Sequence, residues 1–322
     1  MRQFAKPTIV VSKCLEFDAC RYNGEMIPDV TIRNLQPFVT FIPVCPEVEI
    51  GLGTPRETIR IVEENGENRL VQPSTREDVT EKMEQFSNDF LQTIPDVDGF
   101  ILKNRSPSCG TRDVKIYSGF EKAPAKGKGA GLFGGAVVKK FSHLPIEEEG
   151  RLSNFTIREH FFTRLFTIAY YKMIKHNKNM KELVSFQSDN KYLFMAYNQV
   201  KQKELGRIIA NQKNEKIEVV FENYEKTLYE LFMRAPRYTS NVNVCEHIFG
   251  YFKTKLKKQE KDHFIELLQK YAEKKIPLSS LLTILKSWAI RFDEKYLLRQ
   301  TYFEPYPEAL VEISDSGKGR DY

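Results

Sequence analysis

No apolar run in these 322 residues approaches the ~18 residues that a membrane-spanning helix requires. The start, Met1-Arg2-Gln3-Phe4-Ala5-Lys6-Pro7, lacks the ordered basic, apolar and small-residue regions of a secretory signal. These absences lead us to expect a cytoplasmic protein with no membrane partner, in a compartment where disulfides are rare. Five cysteines is an odd number, which excludes complete pairing within the chain. No two of them stand at the close Cys-x₂–₄-Cys spacing common at zinc sites. No segment matches a phosphate-binding loop or a dinucleotide fingerprint, and no internal repeat is visible. What remains is a globular composition, 41% hydrophobic and 29% charged, long enough for two domains.

The charge is unevenly placed. Residues 1–150 carry 19 Lys and Arg against 22 Asp and Glu, a net −3, whereas residues 151–322 carry 30 against 21, a net +9. Such asymmetry points to a second half that meets a polyanion, although a lysine-rich helical surface has the same signature.

The first half reads as strands alternating with helices. Thr8–Ser12, Phe38–Val44 and Gly99–Lys103 are short apolar runs suited to strands covered on both faces, as in a parallel sheet. Ile59–Val62 and Arg69–Val71 flank Asn65-Gly66 and read as a hairpin. Ser74 to Ile94 reads as a helix, with Ser74 and Thr75 as candidate N-caps. The stretch 121–135, rich in Gly, Ala and Lys, reads as a mobile loop. The pattern changes near 144–150. Beyond it, helices are expected near 154–178, 190–210, 215–234, 241–257, 259–274 and 279–290, with Pro277 separating the last two. The polar tail 314–320 is expected to fray. The expected architecture is an α/β domain over 1–150, Rossmann-like with a mainly parallel sheet, followed by an all-α domain over 151–322.

Cys14, Cys45 and Cys109 each follow one of the three strand candidates. Ligands gather beyond the carboxyl ends of the strands in an open parallel sheet, so the three thiols are expected to converge. Soft thiolates suit iron–sulfur clusters, while zinc and simple burial remain open on pattern alone. Cys20 is a fourth candidate, and Cys245 reads as packing within a helix. Glu47, Ser106, Ser108, Lys103, Arg105, Arg21 and Arg56 crowd the same segments.

Several separated motifs then agree in order and spacing. Ser12-x-Cys14-Leu15, Arg21-Tyr22-Asn23-Gly24, Pro43-Val44-Cys45-Pro46-Glu47, Gly51-Leu52-Gly53-x-Pro55-Arg56 and Leu102-Lys103-x-x-Ser106-Pro107-Ser108-Cys109-Gly110 together resemble the thiouracil desulfurase family, over residues 6–150. The resemblance implies a 4Fe–4S cluster on Cys14, Cys45 and Cys109, with one iron open. It also implies an acid/base role for Glu47 and a required serine at Ser106. Lys103 joins these as a candidate catalytic residue, and Arg21, Asn23, Arg56 and Ser108 are candidates for holding substrate. Asn23 stands where the family more often has Asp, and Glu16-Phe17 replaces a usual Leu-Gly.

The second half, with Glu147-Glu148-Glu149-Gly150-Arg151-Leu152, Lys191–Ala196, Leu205-Gly206-Arg207, Gly250–Lys253, Ile276-Pro277-Leu278 and Pro305-Tyr306-Pro307, resembles the helical domain fused behind this module in proteins similar to transfer RNA thiouridine desulfidases. The implied function is non-redox, hydrolytic removal of sulfur from thiouridine in tRNA, 4-thiouridine above all. Tyr192, Tyr197, Tyr251 and Phe252 are candidates for stacking bases, though such spacing more often marks core. One rival substrate is free thiouracil or a thionucleoside. Another reading is a non-catalytic RNA-binding module whose cluster is closed by Cys14, Cys20, Cys45 and Cys109.

Overall fold

The computed structural model describes residues 2–120, 124–211 and 214–312. The expected fraying of 314–320 lies outside the described residues. By internal contact the chain divides into Met1–Ala169 with Pro307–Tyr322, and Tyr170–Tyr306.

The first unit is built on a parallel sheet of four strands, β1 (Thr8–Ser12), β2 (Thr40–Val44), β6 (Gly99–Leu102) and β9 (Ile146–Glu148), in the order β2-β1-β6-β9. β1 and β6 are buried almost throughout, as continuous apolar runs in the middle of a parallel sheet should be. β2 lies at the edge, which is where Pro43, with no N–H to donate, is tolerated. The register Ser12↔Val44 and Leu102↔Glu148 brings the carboxyl ends of the strands level. The order of the chain reverses about β1: β2 pairs on one side, β6 on the other. Such a switch point is where open α/β sheets bind ligands.

The connections are longer than a single crossover. Between β1 and β2 runs α1 (Val30–Leu35), capped by Asp29, whose side chain accepts from the Ile32 N–H. The path from β2 to β6 takes in α2 (Pro46–Glu49), the strands β3 (Arg60–Glu64), β4 (Glu67–Gln72) and β5 (Glu77–Asp78), and α3 (Thr80–Thr93). From β6 to β9 it takes in β7 (Val114–Tyr117), β8 (Ala125–Gly129) and α4 (Leu132–Phe141). The two excursions join in a second sheet, β5-β4-β3-β7-β8, through the parallel pair β3·β7. The β3–β4 hairpin forms as expected, with Asn65 and Gly66 both at positive φ, 53° and 87°.

Two expectations are corrected here. The helix of 74–94 starts at Thr80, because Glu77 and Asp78 pair with Gln72 and Val71 instead, and Asp78 Oδ1 then accepts the Thr80 N–H at 2.8 Å. The stretch 121–135 is not a mobile loop over its described part: it contains β8, paired to β7, and the first turn of α4.

After β9 come α5 (Glu149–Leu152) and α6 (Phe155–Asn177). The first part of α6 belongs with the sheet: Phe166 meets the Phe4 ring, and Leu165 lies over Gly99. That packing carries the contact boundary past the change of sequence pattern at 150 to Ala169.

The second unit is helical: the end of α6, then α7 (Met180–Asp189), α8 (Lys191–Tyr197), α9 (Gln199–Ala210), α10 (Ile217–Leu231), α11 (Tyr238–Phe249), α12 (Lys258–Ala272), α13 (Leu278–Arg291) and α14 (Lys295–Leu298). α7 was not foreseen, and the stretch 190–210 is two helices, split where Asn198 leaves the helical region to cap α9. Buried tyrosines satisfy their hydroxyls internally, Tyr171 on the Phe221 carbonyl and Tyr224 on Gln187, both at 2.6 Å. Cys245 is buried in α11, as packing. Of the four aromatics considered for base stacking, Tyr192 and Phe252 are core and Tyr197 packs on Phe232. Tyr251 alone of the four is exposed. Among the described residues no helix is long and apolar enough to cross a membrane.

Candidate active site

Each strand end of the parallel sheet delivers a different piece of one site. β1 ends at Ser12, two residues before Cys14. β2 runs into Cys45, which precedes Pro46 at the first position of α2, where its fixed φ suits a helix start. The segment after β6 carries Lys103, Ser106, Ser108 and Cys109. β9 ends on Glu148, with Glu149 next. The segments after β1, β2 and β6 border a cavity of about 400 Å³, lined by Cys14, Cys20, Cys45, Cys109, Glu47, Ser106 and Lys103 among others, while the end of β9 supports it from outside the lining. The convergence expected from strand positions is found, and Cys20 joins it: Cys45 Sγ lies 3.8 Å from the Cys20 carbonyl oxygen.

Glu47 is held on both sides. Arg56 donates from Nε at 2.8 Å and Nη2 at 2.6 Å to Glu47 Oε2, and from Nη1 to the carbonyls of Cys20 and Gly53. Glu47 Oε1 accepts the Ser108 hydroxyl at 2.6 Å, and Ser108 Oγ is 2.9 Å from Ser106 Oγ. A hydroxyl has one proton. With the Ser108 proton on the carboxylate, Ser106 is the donor to Ser108. Ser106 Oγ in turn accepts the Cys109 N–H at 3.1 Å. The result is a hydrogen-bonded line from the cavity wall, Ser106 to Ser108 to Glu47, anchored by Arg56.

The remaining candidates separate. Arg21 lines the cavity, its guanidinium 5.4 Å from the Tyr22 ring centre. Arg56 lines it too, but its side chain is 4% exposed and committed to Glu47. Ser108 is fully buried behind Ser106, and Asn23 is turned to Glu25, its Nδ2 donating to Oε2 at 2.6 Å. Neither is part of the lining. Lys103 Nζ donates to Glu149 and to Asn104 Oδ1.

Sequence reasoning missed the scaffold beneath these groups. Glu148, buried, accepts at Oε1 from the Thr111 N–H at 2.7 Å, the Thr111 hydroxyl at 3.0 Å and the Arg112 N–H at 3.3 Å. Glu149 Oε2 accepts the Asn104 N–H at 2.7 Å. Ser12 Oγ accepts the Lys103 N–H at 2.9 Å, tying the ends of β1 and β6 together. Under the Cys109 segment lies the start of α4: Gly131 N–H donates to Gly110 O at 2.7 Å, and Gly134 N–H to Ser108 O at 2.9 Å. The acidic run 147–149 and the glycines were visible signals; their targets were not.

Burial, and the nearness of Cys45, push the Cys14 thiol up to about 12, with Lys103 opposing. The same two causes push Cys20 to about 12, and burial raises Cys109 while the Ser12 hydroxyl opposes. Thiolates here need a positive partner of their own. Among the described residues no three of His, Cys, Asp and Glu meet closely enough to hold a single metal ion. The donors are soft, all sulfur, and spread around a volume. That set fits a polynuclear group held by thiolates better than a zinc ion.

Fold and site thus define an α/β protein with a thiol-lined cavity at the switch point of a parallel sheet. Residues 9–149 match the family model described as 2-thiouracil desulfurase, and residues 191–307 match one described as a protein of unknown function (DUF1722). The uncharacterized protein YbbK of Bacillus subtilis (strain 168) is 36% identical over 118 residues, which cover 34% of this chain and 77% of that protein. The uncharacterized protein YbgA of Escherichia coli (strain K12) is 22% identical over 156 residues, 48% of this chain and 92% of that protein. A solved structure of the 4Fe–4S-dependent thiouracil desulfidase TudS is 26% identical, covering 46% of this chain and 93% of the other, with a TM-score of 0.36. The chain belongs to the 2-thiouracil desulfurase family.

Proposed function

We propose that this protein is a desulfidase that removes the sulfur of 4-thiouridine in transfer RNA, yielding uridine and hydrosulfide. Family membership supports desulfidase activity. The observation that carries the reading further is the Ser106–Ser108–Glu47 line beside converging thiols. In this reading Cys14, Cys45 and Cys109 hold a 4Fe–4S cluster, which when bound supplies a Lewis-acidic iron for a thiocarbonyl sulfur.

The other roles fall to the chain's own side chains. Lys103, steadied by Glu149, and Ser106, on the cavity wall, hydrogen-bond the base. Water attacks the thiocarbonyl carbon and passes a proton to Ser106 Oγ. Ser106 passes its own proton to Ser108 Oγ, and Ser108 passes its proton to Glu47 Oε1. Arg56 occupies Glu47 Oε2, so Oε1 stays turned to Ser108. A C–O bond forms and the C–S bond breaks. One water enters, one hydrosulfide and one proton leave, and no electrons are exchanged.

The net +9 of residues 151–322 supports an RNA substrate, since Lys and Arg contacts to phosphate supply most non-specific affinity for nucleic acid. A paired base would be turned out to reach a buried site. Free thiouracil is the second reading, favoured by the family's description. The test is anaerobic reconstitution with iron and sulfide, then incubation with thiolated tRNA and, separately, with free thiouracil. Loss of near-UV thiouridine absorbance with sulfide release is expected on tRNA. Turnover of the free base alone would overturn the RNA assignment, and no sulfide from either would overturn the activity.

A further inference from the structure

The second sheet of the first unit meets the cavity at one end. β3 begins at Arg60, directly after the lining residues Thr58 and Ile59. β7 begins at Val114, whose side chain would meet a Cβ at Gly110, next to Cys109. β8 ends at Gly129, two residues before Gly131, which lies against the carbonyls of residues 106–108. β3, β7 and β8 therefore extend outward from the cavity wall.

One face of this sheet is apolar and covered, with Ile61, Leu70 and Val114 buried on it. The other face carries charge. β7 and β8 hold three lysines and no carboxylate, in a half of the chain whose net charge is −3. Lys115 and Lys128 stand directly opposite each other, both exposed. Like charges in that position repel. Lys128 reaches Asp113 at 3.2 Å, but the two side chains are 63% and 60% exposed, so water and salt screen the pair. Lys115 has no hydrogen bond or ion pair among the described residues. A lysine on an edge strand guards against pairing with another chain, which accounts for Lys128 on β8. It does not account for Lys115, because β7 is paired on both sides. Two residues farther from the cavity on the same face stands Tyr117, with the Arg60 guanidinium 4.9 Å from its ring centre. Lysines beside an aromatic ring and a guanidinium are the combination that holds a single strand of nucleic acid, by phosphate contact and by stacking.

We propose that this outer face, Lys115 and Lys128 with Arg60 and Tyr117, binds the RNA strand adjoining the thiolated base where it leaves the cavity. RNA fits because the face offers phosphate contacts and a stacking surface together, on strands that start at the cavity wall. This rests on the RNA reading of the substrate, and on the sheet's own charges for where the strand lies.

The test measures binding of unmodified tRNA to the full chain by fluorescence anisotropy across a salt series. Lys115→Gln/Lys128→Gln removes two phosphate contacts, each contributing about 0.7–0.9 to the slope of log K against log salt. The slope should become shallower by about 1.4–1.8, and affinity at about 0.1 M salt should fall by about 25- to 60-fold. Both positions are exposed, and relief of their repulsion favours folding of the variant. Lys82→Gln/Lys139→Gln removes the same two charges from α3 and α4, and should change slope and affinity little. Tyr117→Leu should weaken binding by about 10-fold with the slope unchanged. Equal losses in the two double variants would assign the effect to net charge and overturn the proposal. Unchanged binding in Lys115→Gln/Lys128→Gln, while wild type binds, overturns this face and leaves the RNA reading standing. No tRNA binding by wild type overturns both. Binding of anionic phospholipid vesicles instead of tRNA, lost in the same double variant, would give the face to a membrane and also overturn the proposal.

Discussion

Gly134 carries the sharpest consequence of this architecture. A Cβ at Gly134 would stand 2.3 Å from the Gly110 carbonyl oxygen and 2.4 Å from that of Cys109. Both are backbone atoms of the segment that presents Cys109, so no side chain can turn aside. Gly135, next along α4, offers a built-in contrast: a Cβ there would meet only the Ala130 Cβ, at 3.4 Å. Alanine in place of glycine within a helix is worth about 0.5–1 kcal/mol in either case. At Gly135 that gain stands nearly alone. At Gly134 it is outweighed by overpacking, typically 1–3 kcal/mol and more when backbone must move. We expect Gly135→Ala to be neutral or slightly stabilising. Gly134→Ala should lower Tm by about 5 °C or more. It should also lose iron and sulfide uptake on anaerobic reconstitution, because relief of the clash moves Cys109. Thermal melts by far-UV circular dichroism and iron per chain measure the two effects. If Gly134→Ala melts with Gly135→Ala and takes up equal iron, the account of α4 as the support of the Cys109 segment is wrong.

Three further expectations test other parts of the site. Glu148→Ala strips the acceptor from the Thr111 and Arg112 N–H groups and should cost about 1–3 kcal/mol in denaturant unfolding, while Glu148→Gln keeps an acceptor and costs less. Cys20→Ser should retain iron and the visible spectrum of protein purified without oxygen; loss of the chromophore would favour a site closed by four cysteines. Asp29, capping α1, has its carboxyl pushed up by burial, with the Ile32 N–H opposing and Glu149 adding to the rise. A folded-state pKa above the unfolded one makes stability fall as pH rises between them. Asp29→Asn, which keeps a capping oxygen, should therefore raise Tm at neutral pH and gain little in acid; an equal gain at both pH values would refute the buried-charge explanation.

What could be read from the sequence was local or periodic. Thr8–Ser12 is the strand expected of it because its apolar residues are covered on both faces, and the Asn65-Gly66 turn forms because those two residue types tolerate positive φ. Convergence of Cys14, Cys45 and Cys109 followed from a general property of parallel sheets. What failed depended on partners distant in sequence. Glu77 and Asp78 look like a helix's acidic first turn, yet the neighbouring strand captures them. The parallel β3·β7 pair joins two excursions that no local pattern connects. Gly131 and Gly134 look like flexibility, whereas they are close approach: a Cβ at Gly131 would lie 2.6–2.8 Å from three carbonyl oxygens of residues 106–108. Composition reports the absence of a side chain, and only the fold reports what occupies its place.

The fourth strand shows how the site is divided. β1, β2 and the segment after β6 each supply a thiol, and β9 supplies none. Its end supplies Glu148 and Glu149, whose carboxylates gather five donors from residues 103–112. That segment contains Lys103, Ser106, Ser108 and Cys109, so one strand's carboxylates hold in place most of the groups proposed for proton transfer and base contact. Buried carboxylates are costly unless hydrogen-bonded. The Glu148–Glu149 pair meets that condition only when the segment is folded as it is. Ordering of the segment and burial of the two carboxylates are therefore one event. A variant that loses either carboxylate should loosen the Cys109 segment before it loosens the sheet, and hydrogen exchange confined to residues 103–112 is the measurement that separates the two.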